Sequence, residues 1–202
     1  MKVLLLHAFP LDERMWEQQL ESLRDYEVST PRLYGRGESL DDWAASLLDE
    51  QGGELILVGA RAEGDSTERR AGRAETIALI ENGGVEAFWE DQRPKLLLED
   101  ASEQAVARAR ELVLARGPDE LTEAVRALRD RADNSQTFAS FEGSSLVAVG
   151  EGDLFFTPQE AERLTARARH GRFRVFAGAK HLPNLEQPDE FNAALANFLA
   201  DV

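Results

Sequence analysis

Two residues in the second half of the chain have the type and setting to move a proton. Asp153 lies just past the apolar run Leu146–Val149, and His181 lies just past the run Phe173–Phe176, 28 residues further on (181 − 153). Both runs have the length and the bounding glycines of buried strands. Between them a segment starts at Pro158 and repeats apolar residues at helical spacing, Ala161, Leu164 and Ala168. Strand, helix, strand is the unit of a parallel α/β sheet, where ligands bind outside the carboxyl ends of the strands. Both side chains would then project into one crevice. A carboxylate that orients an imidazole is two-thirds of a nucleophilic triad, which leaves the nucleophile to be found.

The elements that must position this pair begin at the N-terminus. Val3–Leu6 is a strand that runs into His7, Ala8, Phe9 and Pro10. Asp12 is placed to cap a helix with Met15, Trp16, Leu20 and Leu23 on one side. A strand over Tyr26–Thr30 ends at Pro31. A glycine turn with Gly35, Gly37 and Ser39 follows, then a helix over Leu40–Leu48 carrying Trp43 and Leu47, then a strand over Glu54–Val58. This β, α, β, α, β alternation builds a parallel sheet with helices on its faces.

The alternation then breaks. Residues 65–135 read as a helical insertion, with residues 1–64 and 136–202 forming the α/β core. Asp65 with Glu68 makes a capping-box pattern for a helix running to Glu81, stopped by Asn82, Gly83 and Gly84. A short helix over Val85–Asp91 carries Phe88 and Trp89. Asp100 with Glu103 starts a third, ended by Gly117, and Pro118 opens a fourth with Leu121, Val125 and Leu128 in register. A polar return linker spans 130–143. A last helix over Asp189–Leu199 puts Phe191, Leu195, Phe198 and Leu199 on one stripe.

Composition narrows the function. The chain has 202 residues, is 43% hydrophobic, and carries a formal net charge of −15, which repels phosphate backbones and anionic lipid and makes nucleic acid and membranes poor partners. No stretch approaches the roughly 20 apolar residues of a membrane span. Lys2 and the short run after it lead into Asp12, Glu13 and Arg14 without a signal-peptide cleavage site. The cysteine-free composition fits a reducing compartment, so the cytoplasm is the expected location. Three scattered histidines show no metal-ligand spacing, and no cofactor is expected.

In their order the motifs resemble a known family. His7-Ala8-Phe9-Pro10 is similar to the His-Gly-x-Pro oxyanion loop of α/β hydrolases of the small esterase and lactonase type, the enol-lactonase-like enzymes. Gly35-x-Gly37-x-Ser39 matches the turn after that family's next strand. Gly150-Glu151-Gly152-Asp153 matches its acid-bearing turn, and Gly178-Ala179-Lys180-His181-Leu182-Pro183 its histidine loop. The resemblance implies an α/β-hydrolase-like fold, mostly parallel, with a helical cap and a small apolar acyl or lactone compound as ligand. It makes Asp153 and His181 the ancestral acid and base and gives an oxyanion-binding backbone N–H to Phe9. His7, before that loop, is expected to be structural, and His170 to sit at an exposed helix end.

The chain departs from the family at the nucleophile. The Gly-x-Ser-x-Gly elbow belongs after the strand that corresponds to Glu54–Val58, where a strained turn exposes the serine. That place reads Val58-Gly59-Ala60-Arg61-Ala62-Glu63-Gly64, and the motif occurs nowhere in the chain. The cap helix follows too soon for a parallel crossover of about 12 or more residues, and the resemblance therefore implies that one elbow, one helix and one strand are absent as a unit. Ser66, the only serine nearby, sits in a capping sequence and is expected to cap rather than attack. Arg69, Arg70 and Arg73 are expected on a solvated cap face. Three readings follow: a working ester or lactone hydrolase, a catalytically silent relative that still binds, or a deletion product. The strands are expected in the order Tyr26–Thr30, Val3–Leu6, Glu54–Val58, Leu146–Val149, Phe173–Phe176, all parallel and closed over the missing one.

Overall fold

The computed structural model describes residues 2–46 and 55–202. The chain opens with β1 (Lys2–Leu4) and a broken helical stretch: a 3-10 turn over Glu13–Trp16, α1 (Glu17–Leu20) and a second 3-10 turn over Glu21–Leu23. Asp12 is the N-cap, as its position predicts, and Met15, Trp16 and Leu23 are buried while Leu20 is exposed. Next come β2 (Glu27–Ser29), α2 (Leu40–Ala45) and β3 (Leu55–Val58). Leu47, Leu48 and Glu54, assigned above to a helix and a strand, lie outside the described residues.

The strands are parallel but do not form the one closed-up sheet expected. β1 pairs with β2, and β3 pairs with β4 (Ser144–Gly150), which pairs with β5 (His170–Phe176). Among the described residues β1 and β3 are not hydrogen-bonded to each other, so the sheet divides into one of two strands and one of three. The expected neighbour order holds within each part, and the break falls before β3. Leu6, just past β1, is 45% exposed. β4 is buried on both sides, but β5 is an edge strand, exposed along most of its length, with Phe173 37% exposed. It is therefore not the buried strand its apolar run suggests. His170 opens this strand instead of ending a helix.

The helical insertion breaks at the predicted stop. α3 (Thr67–Leu96) is two helical segments joined across Gly84, whose φ of 76° and ψ of −178° are not helical, and the second segment runs past the predicted end at Asp91. Glycine takes this positive φ without the steric cost of a Cβ, and Phe88 and Trp89 just beyond it are buried. The N-cap of α3 is Ser66, not Asp65, and that of α4 (Glu103–Leu114) is Ser102, not Asp100. In each case a hydroxyl reaches the third backbone N–H of the helix. α5 (Pro118–Arg129) starts at its proline and buries Leu121 and Val125. The polar linker contains a short helix, α6 (Ser135–Ser140), that buries Phe138. α7 (Pro158–Thr165) joins β4 to β5, and α8 (Pro183–Glu186) and α9 (Pro188–Ala200) end the fold, with Phe191, Leu195, Phe198 and Leu199 buried on the predicted stripe. One apolar core spans both sheet parts: Val3 and Leu5 from the first, Leu146 and Ala148 from the second, Phe88 and Leu96 from α3.

Candidate active site

The turn after β4 and the loop after β5 are laced together by backbone. Glu151 N–H donates to the Phe176 carbonyl and Gly152 N–H to the Ala179 carbonyl, both at 2.9 Å. Gly150 permits this approach, since a Cβ there would lie 1.9 Å from the Lys180 carbonyl oxygen. Asp153 is thereby carried to His181, with Oδ2 2.8 Å from Nδ1. Its other oxygen, Oδ1, accepts the N–H groups of Phe155 (2.8 Å) and Phe156 (3.0 Å). The carboxylate side chain is fully buried, and an ionised carboxylate only accepts, so Nδ1 donates to it and the lone pair of the neutral ring sits on Nε2.

The imidazole is held from several directions. Its backbone N–H donates to the Leu96 carbonyl at the end of α3 (3.1 Å), and the Phe155 ring meets it edge-on at 4.9 Å. Gly59, at φ +56°, lies directly against it. A Cβ on Gly59 would come within 2.7 Å of Cε1. Glu186 ties the histidine loop to the segment after α3, accepting from Lys180 N–H (2.8 Å) and Leu98 N–H (2.7 Å). Burial raises the Glu186 pKa, against the pull of those hydrogen bonds.

Arg61 does not stand in for a nucleophile. β3 leads out alongside the acid-bearing strand, with Gly59 N–H on the Ala148 carbonyl at 3.0 Å. The Arg61 guanidinium reaches back onto the acid turn. It donates to the Phe155 carbonyl and to both oxygens of Glu160 (3.3 Å each), and lies 5.3 Å from the centre of the Phe156 ring. Phe155 and Phe156 are the two residues whose N–H groups hold Asp153, so Arg61 clamps the turn that presents the acid. Glu160 also completes the capping box of α7 with Thr157. The Thr-x-x-Glu spacing was the visible signal for that half of the clamp. Nothing in the sequence pointed from Arg61 to residues more than 90 positions away.

The other candidates fall elsewhere. Ser66 caps α3: its Oγ accepts from Arg69 N–H at 3.3 Å and donates to Glu68 at 2.9 Å, on an exposed surface. The expected solvated face is a set of cross-element pairs instead, with Arg69 on Glu160, Arg73 and Arg131 on buried Asp65, and Arg70 on Asp130. His7 is structural, as expected. Its Nε2 accepts Leu33 N–H at 2.9 Å, it stacks on Tyr34, and burial lowers its pKa to about 4. The Phe9 N–H has no protein acceptor among the described residues, and the Phe9 ring packs on Phe88 at 5.8 Å. Phe9 also lines an apolar cavity of about 100 Å³ with Leu33, Tyr34, Trp43 and Leu128. A more open cleft of about 360 Å³ lies between the first helical stretch and α4, and neither space is lined by Asp153 or His181.

Parallel strands flanked by helices, with an acid and a histidine paired at adjacent strand ends, define an α/β architecture of hydrolase type. Residues 56–194 match the model of the alpha/beta hydrolase family. With more than half its length matched, the chain belongs to that family. Its structure is similar to a thermophilic esterase from Thermogutta terrifontis, at 25% identity and a TM-score of 0.89, covering all of this chain and 90% of that one. It is similar also to MenH from S. aureus, at 19% identity and a TM-score of 0.89 over all of this chain and 94% of that one. The enol-lactonase from Burkholderia xenovorans LB400 matches with 18% identity and a TM-score of 0.84, over 98% of this chain and 90% of that one. No curated relative matches the chain.

Proposed function

We propose that this chain is a cytoplasmic relative of the carboxylic-ester and lactone hydrolases that has lost their nucleophilic step. It binds a small apolar acyl or lactone compound beneath a cap formed by residues 65–135, and hydrolyses alkyl esters and lactones far more slowly than an intact triad does. The observation that carries this reading is the Asp153–His181 pair, joined at 2.8 Å, beside a β3 exit where Arg61, committed to Phe155 and Glu160, stands in place of a serine. The apolar cavity supports the ligand class, because Phe9 meets Leu128 and Ala124 of α5 across it. Loss of the serine of a triad alone costs on the order of a millionfold in turnover. Loss of one oxyanion donor typically costs about a hundredfold more.

A fluorophosphonate probe and a panel of alkyl esters and lactones test the reading. The expected result is no stoichiometric labelling, at Ser66 or elsewhere, and no saturable turnover. Labelling of one serine per chain, or turnover at the roughly 1 s⁻¹ or more of ordinary enzymes, would overturn it. One observation favours a second reading, a deletion product that associates through open edges: β1 and β3 present edges that are not paired to each other. Sedimentation separates the two, since a monomer that unfolds cooperatively is incompatible with the second.

A further inference from the structure

The Asp153–His181 pair has one free end. Among the described residues no protein group bonds His181 Nε2, and this nitrogen is not sealed among the buried unpartnered atoms. The side chain keeps 11% of its surface. In a complete triad this lone pair would be occupied by a serine hydroxyl. Here it is left on a ring whose opposite nitrogen is tied to a buried carboxylate, whose edge is packed by Phe155, and whose Cε1 flank is kept clear by the missing Cβ of Gly59.

We propose that His181 Nε2 is itself a nucleophile toward activated acyl compounds, the class being aryl esters whose leaving group is a stabilised phenolate. The inference rests on the reading above that no serine competes for the acyl group. In the first step the Nε2 lone pair forms a bond to the acyl carbon, and the bond from that carbon to the phenolic oxygen breaks, releasing phenolate. The product is an acylimidazolium whose Nδ1 proton stays on His181, hydrogen-bonded to the Asp153 carboxylate, which balances the new positive charge. Water then adds to the acyl carbon and gives one proton to solvent, the carbon–Nε2 bond breaks and returns its pair to nitrogen, and the carboxylic acid leaves and loses its remaining proton to solvent. Both steps close without an oxidant, reductant or metal.

Leaving-group ability sets the substrate class. From the tetrahedral adduct the better leaving group departs. Imidazole, whose conjugate acid has a pKa near 6.5, is expelled in preference to an alkoxide, so an alkyl ester reverts. A nitrophenolate competes with imidazole and the acyl group transfers. Histidine is an established covalent nucleophile in other settings, and its reactivity grows when the second nitrogen is held by a carboxylate.

The test uses p-nitrophenyl acetate with the full chain, and ethyl acetate beside it. Nitrophenol release is expected, with none from ethyl acetate, and acid quench during turnover should leave an acetyl group on the His181 peptide. His181→Ala should lower the rate at least about a hundredfold, the lower range for loss of such a group. Asp153→Asn should lower it about tenfold. The solvent deuterium effect on nitrophenol release in the first turnover should be close to one, since no proton moves in the bond-forming step, whereas a histidine acting as a general base on water moves a proton in that same step. If His181→Ala fails to fold by circular dichroism, His181→Gln replaces it, and the acetyl measurement on the unaltered chain needs no variant. A rate unchanged by loss of His181, or a clear isotope effect on first-turnover nitrophenol release with no acetyl on His181, overturns the proposal while leaving the loss of the serine step intact. Fluorophosphonate labelling of a serine would instead overturn the reading beneath it.

Discussion

Replacing Gly59 by alanine tests how tightly the strand exit and the imidazole are fitted to each other. A Cβ at Gly59 would stand 2.7 Å from His181 Cε1, 2.8 Å from Nδ1 and 3.3 Å from the His181 carbonyl oxygen. Ordinary contact starts near 3.4 Å, so the ring must withdraw by ~0.7 Å. It has little room, being fixed by Asp153, by Phe155 and by its own N–H on Leu96. The same displacement along the 2.8 Å Nδ1–Oδ2 line reaches the limit of a hydrogen bond. Alanine at φ +56° costs about 1–2 kcal/mol in backbone strain alone. Leaving the buried Asp153 short of its partner adds roughly 1–3 kcal/mol. Gly59→Ala is therefore expected to destabilise by ~2–5 kcal/mol in urea unfolding at unchanged m. Gly35→Ala is the control, because Gly35 also has positive φ, +77°, but nothing within 4 Å of its added Cβ. It should lose only the strain of ~1–2 kcal/mol. The downfield Nδ1 proton resonance of His181 should be lost in the first variant and kept in the second. Equal stability of the two variants, with that resonance unchanged in both, would refute the fit.

Two further outcomes are expected. Arg61→Met should destabilise by ~1–3 kcal/mol, since it leaves the half-buried Glu160 and the Phe155 carbonyl without their shared donor, whereas Arg69→Met, which removes a more exposed partner of Glu160, should cost ~0–1 kcal/mol. Equal costs measured by urea unfolding would mean that Arg61 is only another surface pair. The His7 pKa is depressed by burial from 6.5 to about 4, so the unfolded chain binds more protons between those values and stability must fall as pH drops through them, by up to about 3 kcal/mol. His7→Gln, whose amide oxygen can still accept Leu33 N–H, should flatten that part of the stability–pH profile, and an unchanged slope would assign it to other groups.

The acid and histidine were legible because each sits in a turn built locally. Glycines at 150, 152 and 178 and a proline at 183 shape those turns whatever the distant chain does. Helical periodicity likewise placed α5 and α9, where Leu121, Val125, Phe191 and Leu195 mark one face. Strand pairing was less legible. A run of four apolar residues such as β3 carries no record of its neighbour, because pairing is settled by contacts far along the chain. The same limit hid the role of Arg61, whose partners lie 94 and 99 residues away. At Gly84 the local stop signal was legible, and the helical backbone breaks there.

The division of the sheet also divides the site. Asp153, His181, Gly59 and Arg61 all belong to the three-stranded part and its loops, whereas Phe9 follows β1 in the two-stranded part. With no hydrogen-bonded ladder between β1 and β3 among the described residues, something else must hold the two halves in register. α3 touches both. Phe88 packs on the Phe9 ring, and the Leu96 carbonyl takes the His181 N–H. Those residues are eight apart, roughly 12 Å along a helix axis. The neighbouring bonds act in the same place, with Lys180 Nζ on the Pro94 carbonyl and Glu186 on Leu98 N–H. The stretch from Phe88 to Leu98 is therefore the ruler that spaces His181 from the loop at Phe9. The kink at Gly84 precedes this stretch, so it can redirect the first half of α3 without altering that spacing.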